Sequence, residues 1–310
     1  MGIGYGFGKI ILIGDQFINY GVPAIVSAID LKTKAIVKRV KNGTLKVYDN
    51  RKETPGYKEK KLHQQKESID RILNAMKIDI KKNPIEIIFE GNLIAASGLG
   101  ASAASCVALT RALSDEFKMN LSDEEINNIA FEGEKAYHGI PSGVDNTAST
   151  FGGILFFMKD LSTNKNIVEK IKLKKKIEFV VSDSQVVADT AYVGKYIKGL
   201  KEKQPERFSE ALKKINDQVF ELRRNLEIFN LKKVGELMNE YHKIAIEFGL
   251  SHEKIIYLTE LAIKNGAYGA KLTGGGMGGN MIALTPGSKL QDKVAMVLEK
   301  EGYHTLKVTI

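Results

Sequence analysis

A chain of 310 residues, 43% hydrophobic, with 46 Lys and Arg against 37 Asp and Glu, is long enough to bury a substantial core and to form two sub-domains in close contact. Its apolar runs, such as that in Lys9-Ile-Ile-Leu-Ile-Gly14, are far too short to cross a bilayer, and no basic-then-apolar leader opens the chain, so a cytoplasmic protein without membrane association is expected. The net charge of +9 does not signal nucleic-acid binding, because the lysines are scattered among acids; a mild positive field that attracts anionic substrates is the reading it supports.

The glycines at 2, 4, 6 and 8 superficially suggest a dinucleotide fingerprint, but they precede an apolar strand pattern rather than follow one, and that reading is rejected. Residues 7–13, 35–39 and 44–48 are expected as strands, the last two joined by a turn at Asn42-Gly43. A helix is expected over 58–76 and a strand over 85–89, bounded by Pro84 and Gly91. An Ala-rich helix follows Gly98; on it Cys106, the chain's one cysteine, excludes an internal disulfide and reads as a small buried hydrophobe. Ser122-Asp-Glu-Glu125 is a capping box that opens a helix running to about His138, with Ile126, Ile129 and Ala130 on one face. The run Lys172-Leu-Lys-Lys-Lys176 reads as a solvated strand or loop edge. Residues 190–264 read as mainly helical, with breaks at Gln204-Pro205, near Asn230 and at Gly249-Leu-Ser251. A strand over 281–284, a helix over about 290–300 and a last strand from Thr305 complete the pattern. Strands interleaved with paired helices, without strict β-α-β periodicity, indicate an α+β protein with a boundary near residue 185, giving domains 1–185 and 186–310.

Three glycine-rich segments carry chemistry. In Ser97-Gly-Leu-Gly-Ala-Ser102 the glycines let backbone amides approach a ligand, and the following helix contributes about half a positive charge at its N-terminus. A glycine turn before a helix is also common without any ligand, but Ser102, in the first turn, can cap the helix or ligate magnesium. No Gly-Lys-Ser/Thr follows, so positive charge for a phosphate must come from elsewhere. In Gly139-Ile-Pro-Ser-Gly-Val-Asp-Asn146, Asp145 reads either as a turn former or as a carboxylate that takes a proton from a substrate hydroxyl. Glu134, in the preceding helix, reads either as a surface acid or as the second carboxylate that a magnesium-dependent phosphoryl transfer needs. Gly274-Gly-Gly-Met-Gly-Gly279 holds five glycines in six positions, a cost in chain entropy that indicates close backbone packing against a ligand or another loop.

With these loops in this order, the sequence resembles the GHMP kinases, named for galactose, homoserine, mevalonate and phosphomevalonate. The resemblance covers nearly the whole chain. The segment from Gly8 to Ile25, Glu132-Gly-Glu-Lys135, the run from Gly139 to Gly153, and Lys271-Leu-Thr-Gly-Gly-Gly-Met-Gly-Gly279 are similar to family motifs, and Pro-Ser-Gly-Val-Asp-Asn favours the mevalonate branch. The resemblance implies a two-domain fold: an N-terminal α/β domain with the ATP loop, a C-terminal ferredoxin-like α+β domain, and an active site in the cleft between them. It implies that Ser97, Gly98, Leu99, Gly100, Ala101 and Ser102 wrap the ATP phosphates, and that Ser102 and Glu134 hold Mg2+. Asp145 would be the catalytic base, and Lys9 would lie near it, keeping it ionised and neutralising the transferred phosphoryl group. Gly274, Gly275 and Gly276 would close against the phosphate loop, and Asp15, Gln16 and Thr190 would stand on the substrate side. The expected reaction is ATP-dependent phosphorylation of the primary hydroxyl of mevalonate. A kinase for phosphomevalonate or another alcohol, and an inactive ligand-binding relative, are the alternatives. Family members are often homodimers, and some are inhibited by downstream isoprenoid diphosphates.

The chain departs from the family pattern in three places. Asp15-Gln16 stands where Glu-His is usual, and Gln16 keeps hydrogen bonding but carries no charge, so acceptor affinity or identity is expected to differ. Ile94 and Gly100-Ala-Ser102 replace Pro and Gly-Ser-Ser, which removes one hydroxyl and keeps the backbone amides. Asn280 stands where many relatives have cysteine.

Overall fold

The computed structural model describes the chain from 1 to 310 apart from residues 42, 96, 140, 164 and 189 and the side chains of 190 and 191. It folds as two compact units: Met1–Lys9 with Ala28–Gly152, and Ile10–Ser27 with Gly153–Ile310. A single cut near residue 185 does not describe this division, because the chain crosses between units within its first two strands.

In the first unit, β1 (Gly2–Ile13) contributes its leading residues and β2 (Ala24–Arg39) its trailing ones. Alternation places Ala35 and Val37 of β2 inward. They pair antiparallel with β4 (Ile85–Gly91), Val37 opposite Ile87. β3 (Lys46–Asp49) runs parallel to β4 on its other side, so β2 and β3 are not the hairpin expected of them. The expected turn at Asn42 lies outside the described residues. On this sheet pack α1 (Tyr57–Ala75), α2 (Ala101–Glu116) and α3 (Asp123–His138), closing a core of Ile69, Ile72, Ile85, Ile87, Phe89, Val107, Leu109 and Leu113. The capping box is present: Ser122 accepts from the Glu125 N–H while Glu125 accepts from the Ser122 N–H. A short helix the sequence reading missed, α4 (Val144–Phe151), follows Gly143.

Gly2, Gly4 and Gly6 lie within β1, not before a strand. A Cβ on Gly2, Gly4 or Gly6 would stand 2.1, 2.2 and 2.1 Å from the carbonyl oxygens of Ala112, Ala108 and Ala104. Two strand residues rise about 6.6 Å and four helix residues about 6 Å, so the two repeats stay in step and α2 lies backbone to backbone on β1.

In the second unit, Ala24 to Ser27 of β2 pair with β5 (Ile154–Lys159), which pairs with β6 (Asn166–Ile171). The exposed lysines at 172 and 174–176 form the loop after it. β7 (Glu178–Asp183), β8 (Gly269–Thr273), β9 (Asn280–Leu284) and β10 (Thr305–Thr309) make an antiparallel sheet in the order β10-β7-β9-β8. α5 (Thr190–Lys203), α6 (Pro205–Glu227), α7 (Leu231–Glu247) and α8 (Glu253–Lys264) break where the sequence indicates. α7, α8 and α9 (Ser288–Lys300) cover the sheet. Gly235 of α7 and Gly269 of β8 let those elements touch through their backbones.

Candidate active site

The first unit gathers Lys9, the loop at residues 97–102, Glu134 and Asp145. Gly98 and Gly100 take positive φ of 71° and 75°, conformations that suit glycine, on either side of a fully buried Leu99. The Leu99 carbonyl accepts from the Lys9 N–H at 2.8 Å. A Cβ on Gly100 would meet Lys9 Cγ at 2.8 Å, so the stem of the lysine lies across the loop. Beyond it, Lys9 Nζ reaches Asp145 Oδ1 at 3.1 Å, the lysine 5% and the aspartate 28% exposed. Asp145 therefore sits in the first turn of α4 rather than in an open loop, where the helix dipole also favours its negative charge. A positive charge paired with Asp145 thus lies beside the glycine loop, carried by a lysine about 90 positions upstream of the loop's centre.

Glu134 is not a surface acid: its side chain is 1% exposed. Burial first, and then the negative charge of Asp145, push its carboxyl up to about 8, against the hydrogen bond from Ser102 and the charge of Lys9. Ser102 does not cap α2, whose N-cap is Gly100. Its hydroxyl instead faces Glu134 and, at 3.5 Å, His138 Nε2. Cys106 is buried as expected, with its Sγ 3.9 Å from Glu134.

Beside Ser102 opens a small cleft, lined in part by Arg51, Tyr57, Lys61, Gln65 and Tyr137. Arg51 at its base is buried and grips Asp49 with two nitrogens, Nε to Oδ1 at 2.9 Å and Nη2 to Oδ2 at 2.6 Å. Burial raises the Asp49 carboxyl and the guanidinium outweighs it, leaving the group below its ordinary value.

The second unit gathers Asp15, Gln16 and the loop at residues 274–279, which joins β8 to β9. Asp15 lies in a short 3-10 helix (Asp15–Tyr20) with its side chain at 0% exposure. It accepts from Lys271 Nζ at 2.6 Å and from the Gly274 N–H at 2.8 Å. Lys271, also at 0% exposure, stands 5.1 Å from the centre of the Tyr241 ring, and Tyr241 donates to Gln16 Oε1 at 3.1 Å. Neighbouring backbone explains two of the glycines of this loop. Gly276 and Gly278, both at positive φ, leave no room for a Cβ against the carbonyls of Leu250 and Val186, each 2.6 Å away. Asn280, 5% exposed, begins β9 opposite Thr273 and Asp183. Thr190 opens α5, and its side chain lies outside the described residues.

Sequence reasoning missed Lys271 and Arg51 as organising charges. Lys271 carried a signal, a lone cation in the apolar strand pattern Gly-Ala-Lys-Leu-Thr, whereas Arg51 carried none. Among the described residues no group of three or more His, Cys, Asp or Glu side chains is arranged to hold a metal ion. A buried cation crossing a glycine loop to reach a carboxylate can serve phosphoryl transfer to an alcohol.

Residues 66–153 match the GHMP kinases N terminal domain and residues 196–304 the GHMP kinases C terminal domain. The chain belongs to the GHMP kinase family. It is 31% identical over 313 residues to the mevalonate kinase of Pyrococcus abyssi, covering 95% of this chain and 91% of that one. With the mevalonate kinase of Arabidopsis thaliana it shares 29% identity over 251 residues, 74% of this chain and 64% of the plant protein. The crystal structure of L. major mevalonate kinase in complex with R-mevalonate superposes with a TM-score of 0.94 at 32% identity, covering 100% of this chain and 96% of that one. That of the Methanococcus jannaschii mevalonate kinase, 23% identical, shares the fold at a TM-score of 0.81 over 99% of this chain and 97% of that one.

Proposed function

We propose that this chain transfers the γ-phosphoryl group of ATP to the primary hydroxyl of mevalonate. The observation that carries this reading is the Lys9–Asp145 pair laid over the glycine loop, in a chain similar over 95% of its length to a mevalonate kinase. Asp145 orients the acceptor hydroxyl and takes its proton as the oxygen attacks the γ-phosphorus. The bond from that phosphorus to the bridging oxygen breaks, and ADP leaves with the electron pair. Lys9 neutralises the charge spread over the phosphoryl oxygens, and the N-terminus of α2 offers amides and the positive end of its dipole.

Glu134 and Ser102 fit a magnesium ion. A carboxylate so costly to ionise in isolation, facing a hydroxyl, is suited to one or two ligand positions on a hard cation whose other ligands are phosphates and water. Such an ion, when bound, would neutralise phosphate charge. The cleft beside Ser102 is assigned to the nucleotide, with the rings of Tyr57 and Tyr137 for its base and Lys61 for its phosphates. Asp15 acts on the substrate side by fixing Gly274, and Gln16 and Thr190 are assigned to the acceptor. No helix among the described residues is long and apolar enough to cross a membrane. The reading places the enzyme in the cytoplasm, and sedimentation of the purified protein tests for the homodimer found in many family members.

The deciding experiment is a screen of acceptors with ATP and magnesium. Turnover with mevalonate and little with phosphomevalonate, galactose or homoserine is expected, and inert mevalonate would overturn the proposal.

A further inference from the structure

The segment that follows β3 touches the phosphate loop at both of its ends. Before the loop, Ala95 donates to the Lys52 carbonyl at 2.8 Å and accepts from the Thr54 N–H at 3.1 Å. Where the loop enters α2, Arg51 Nη1 donates to the Ala101 carbonyl at 3.4 Å and to Ser105 Oγ, and Ser105 in turn donates to the Ala101 carbonyl at 2.8 Å. The segment is itself held from behind. Lys58 Nζ donates to the carbonyls of Asp49, at 2.8 Å, and Arg51, and Gln65 Nε2 donates to Asp49 Oδ2 at 2.9 Å.

We infer that Arg51 and Ser105 are positioning residues that fix the first turn of α2 for nucleotide binding, with Asp49 setting the plane of the guanidinium. The inference rests on the assignment of residues 97–102 to the ATP phosphates. A loop rich in glycine has little stiffness of its own, so the direction of its amides depends on what holds its ends. Backbone pairing at Ala95 holds one end. At the other the first helical turn is free of side-chain capping, and its tie is the planar fork of Arg51. Two of its nitrogens are fixed on Asp49, which leaves the third aimed at Ala101 and Ser105. A lysine could not make this three-way connection, because one ammonium cannot span a carboxylate and a helix turn in a fixed plane.

The test is calorimetric binding of ADP with magnesium, together with steady-state kinetics, on Ser105→Ala, Ser105→Thr, Arg51→Lys and Gly100→Ala. Ser105→Ala leaves the Asp49–Arg51 pair intact and should fold. It is expected to weaken ADP and raise the KM for ATP by about tenfold, the scale of one hydrogen bond to a charged group. The KM for mevalonate and the kcat at saturating ATP should stay within about twofold of wild type. Ser105→Thr, which restores the hydroxyl, should restore ADP affinity, and Arg51→Lys should behave like Ser105→Ala. Wild-type ADP affinity in both Ser105→Ala and Arg51→Lys, with weakened binding in Gly100→Ala, would overturn the inference and leave the loop assignment standing. Wild-type affinity in all three would overturn the loop assignment and the inference with it. An equal loss of ATP and mevalonate affinity would mark general destabilisation and also overturn the inference.

Discussion

Lys9 meets the loop through its own N–H and its stem and meets Asp145 through its ammonium, and this arrangement ties the charge of the site to a single side chain. Lys9→Met keeps the stem that covers Gly100 and removes the charge beside Asp145, so kcat should fall by about a hundredfold or more while ADP still binds, read by steady-state kinetics and calorimetry. Asp145→Asn removes the proton acceptor and should lower kcat by about 10²–10⁴-fold with ATP binding nearly intact; turnover near wild type would end its assignment as base. Glu134 gives a prediction with a sign. Its folded-state carboxyl lies at about 8, above the ordinary 4.5. The associated stability is therefore complete below the unfolded value and is lost as pH rises through the folded one. In metal-free buffer Glu134→Gln, which cannot ionise, should melt several degrees above wild type near pH 9 and level with it near pH 4. Equal melting temperatures at both would show that the carboxylate is not buried at a cost. The same variant should lose most kinase activity.

At the scale of elements, the buried pair of Asp15 and Lys271 holds the strand β8 and the loop after it to the 3-10 helix. Asp15→Asn strands a buried ammonium and should cost about 3–5 kcal/mol in urea unfolding. Asp15→Leu combined with Lys271→Met should recover much of that stability. A double variant as unstable as the single one would mean the pair contributes more than charge balance. Much of this element plan was legible in the sequence because local chemistry decided it. Ser122 and Glu125 set the start of α3, and Pro205, Asn230 and Gly249 set the helix breaks. Pairing was less legible. Residues 35–39 and 44–48 do form strands, but β4 inserts beside both, and which strands neighbour each other is settled by the shared core rather than by either sequence. The chemistry of the site divides in the same way. Glycine spacing pointed to both loops, whereas the burial of Glu134, the helix under Asp145 and the reach of Arg51 depend on packing between distant segments.

At the scale of the whole molecule, neither unit is a continuous stretch of chain. Residues 10–27 lie in the second unit although they come early in sequence. A fragment of residues 1–152 would carry the inward-facing Ile10, Leu12, Phe17 and Ile25 without β5 to pair with Ala24 to Ser27. A fragment of residues 153–310 would bury Lys271 without Asp15. Each piece expressed alone should be insoluble or should lack a cooperative melt, and co-expression should recover kinase activity. A cooperatively folding 153–310 fragment would show that the second unit does not depend on residues 10–27.

The contact between β1 and α2 changes what the mildest of mutations means. Alanine scanning usually reads a residue by deleting its side chain. At Gly2, Gly4 and Gly6 an alanine is an insertion, a methyl group placed where a carbonyl oxygen already stands about 2 Å away. A scan of this protein should therefore invert the common pattern. Exposed Tyr5 should tolerate alanine, and its glycine neighbours on either side should reject it, since the seam between β1 and α2 leaves no room for another atom.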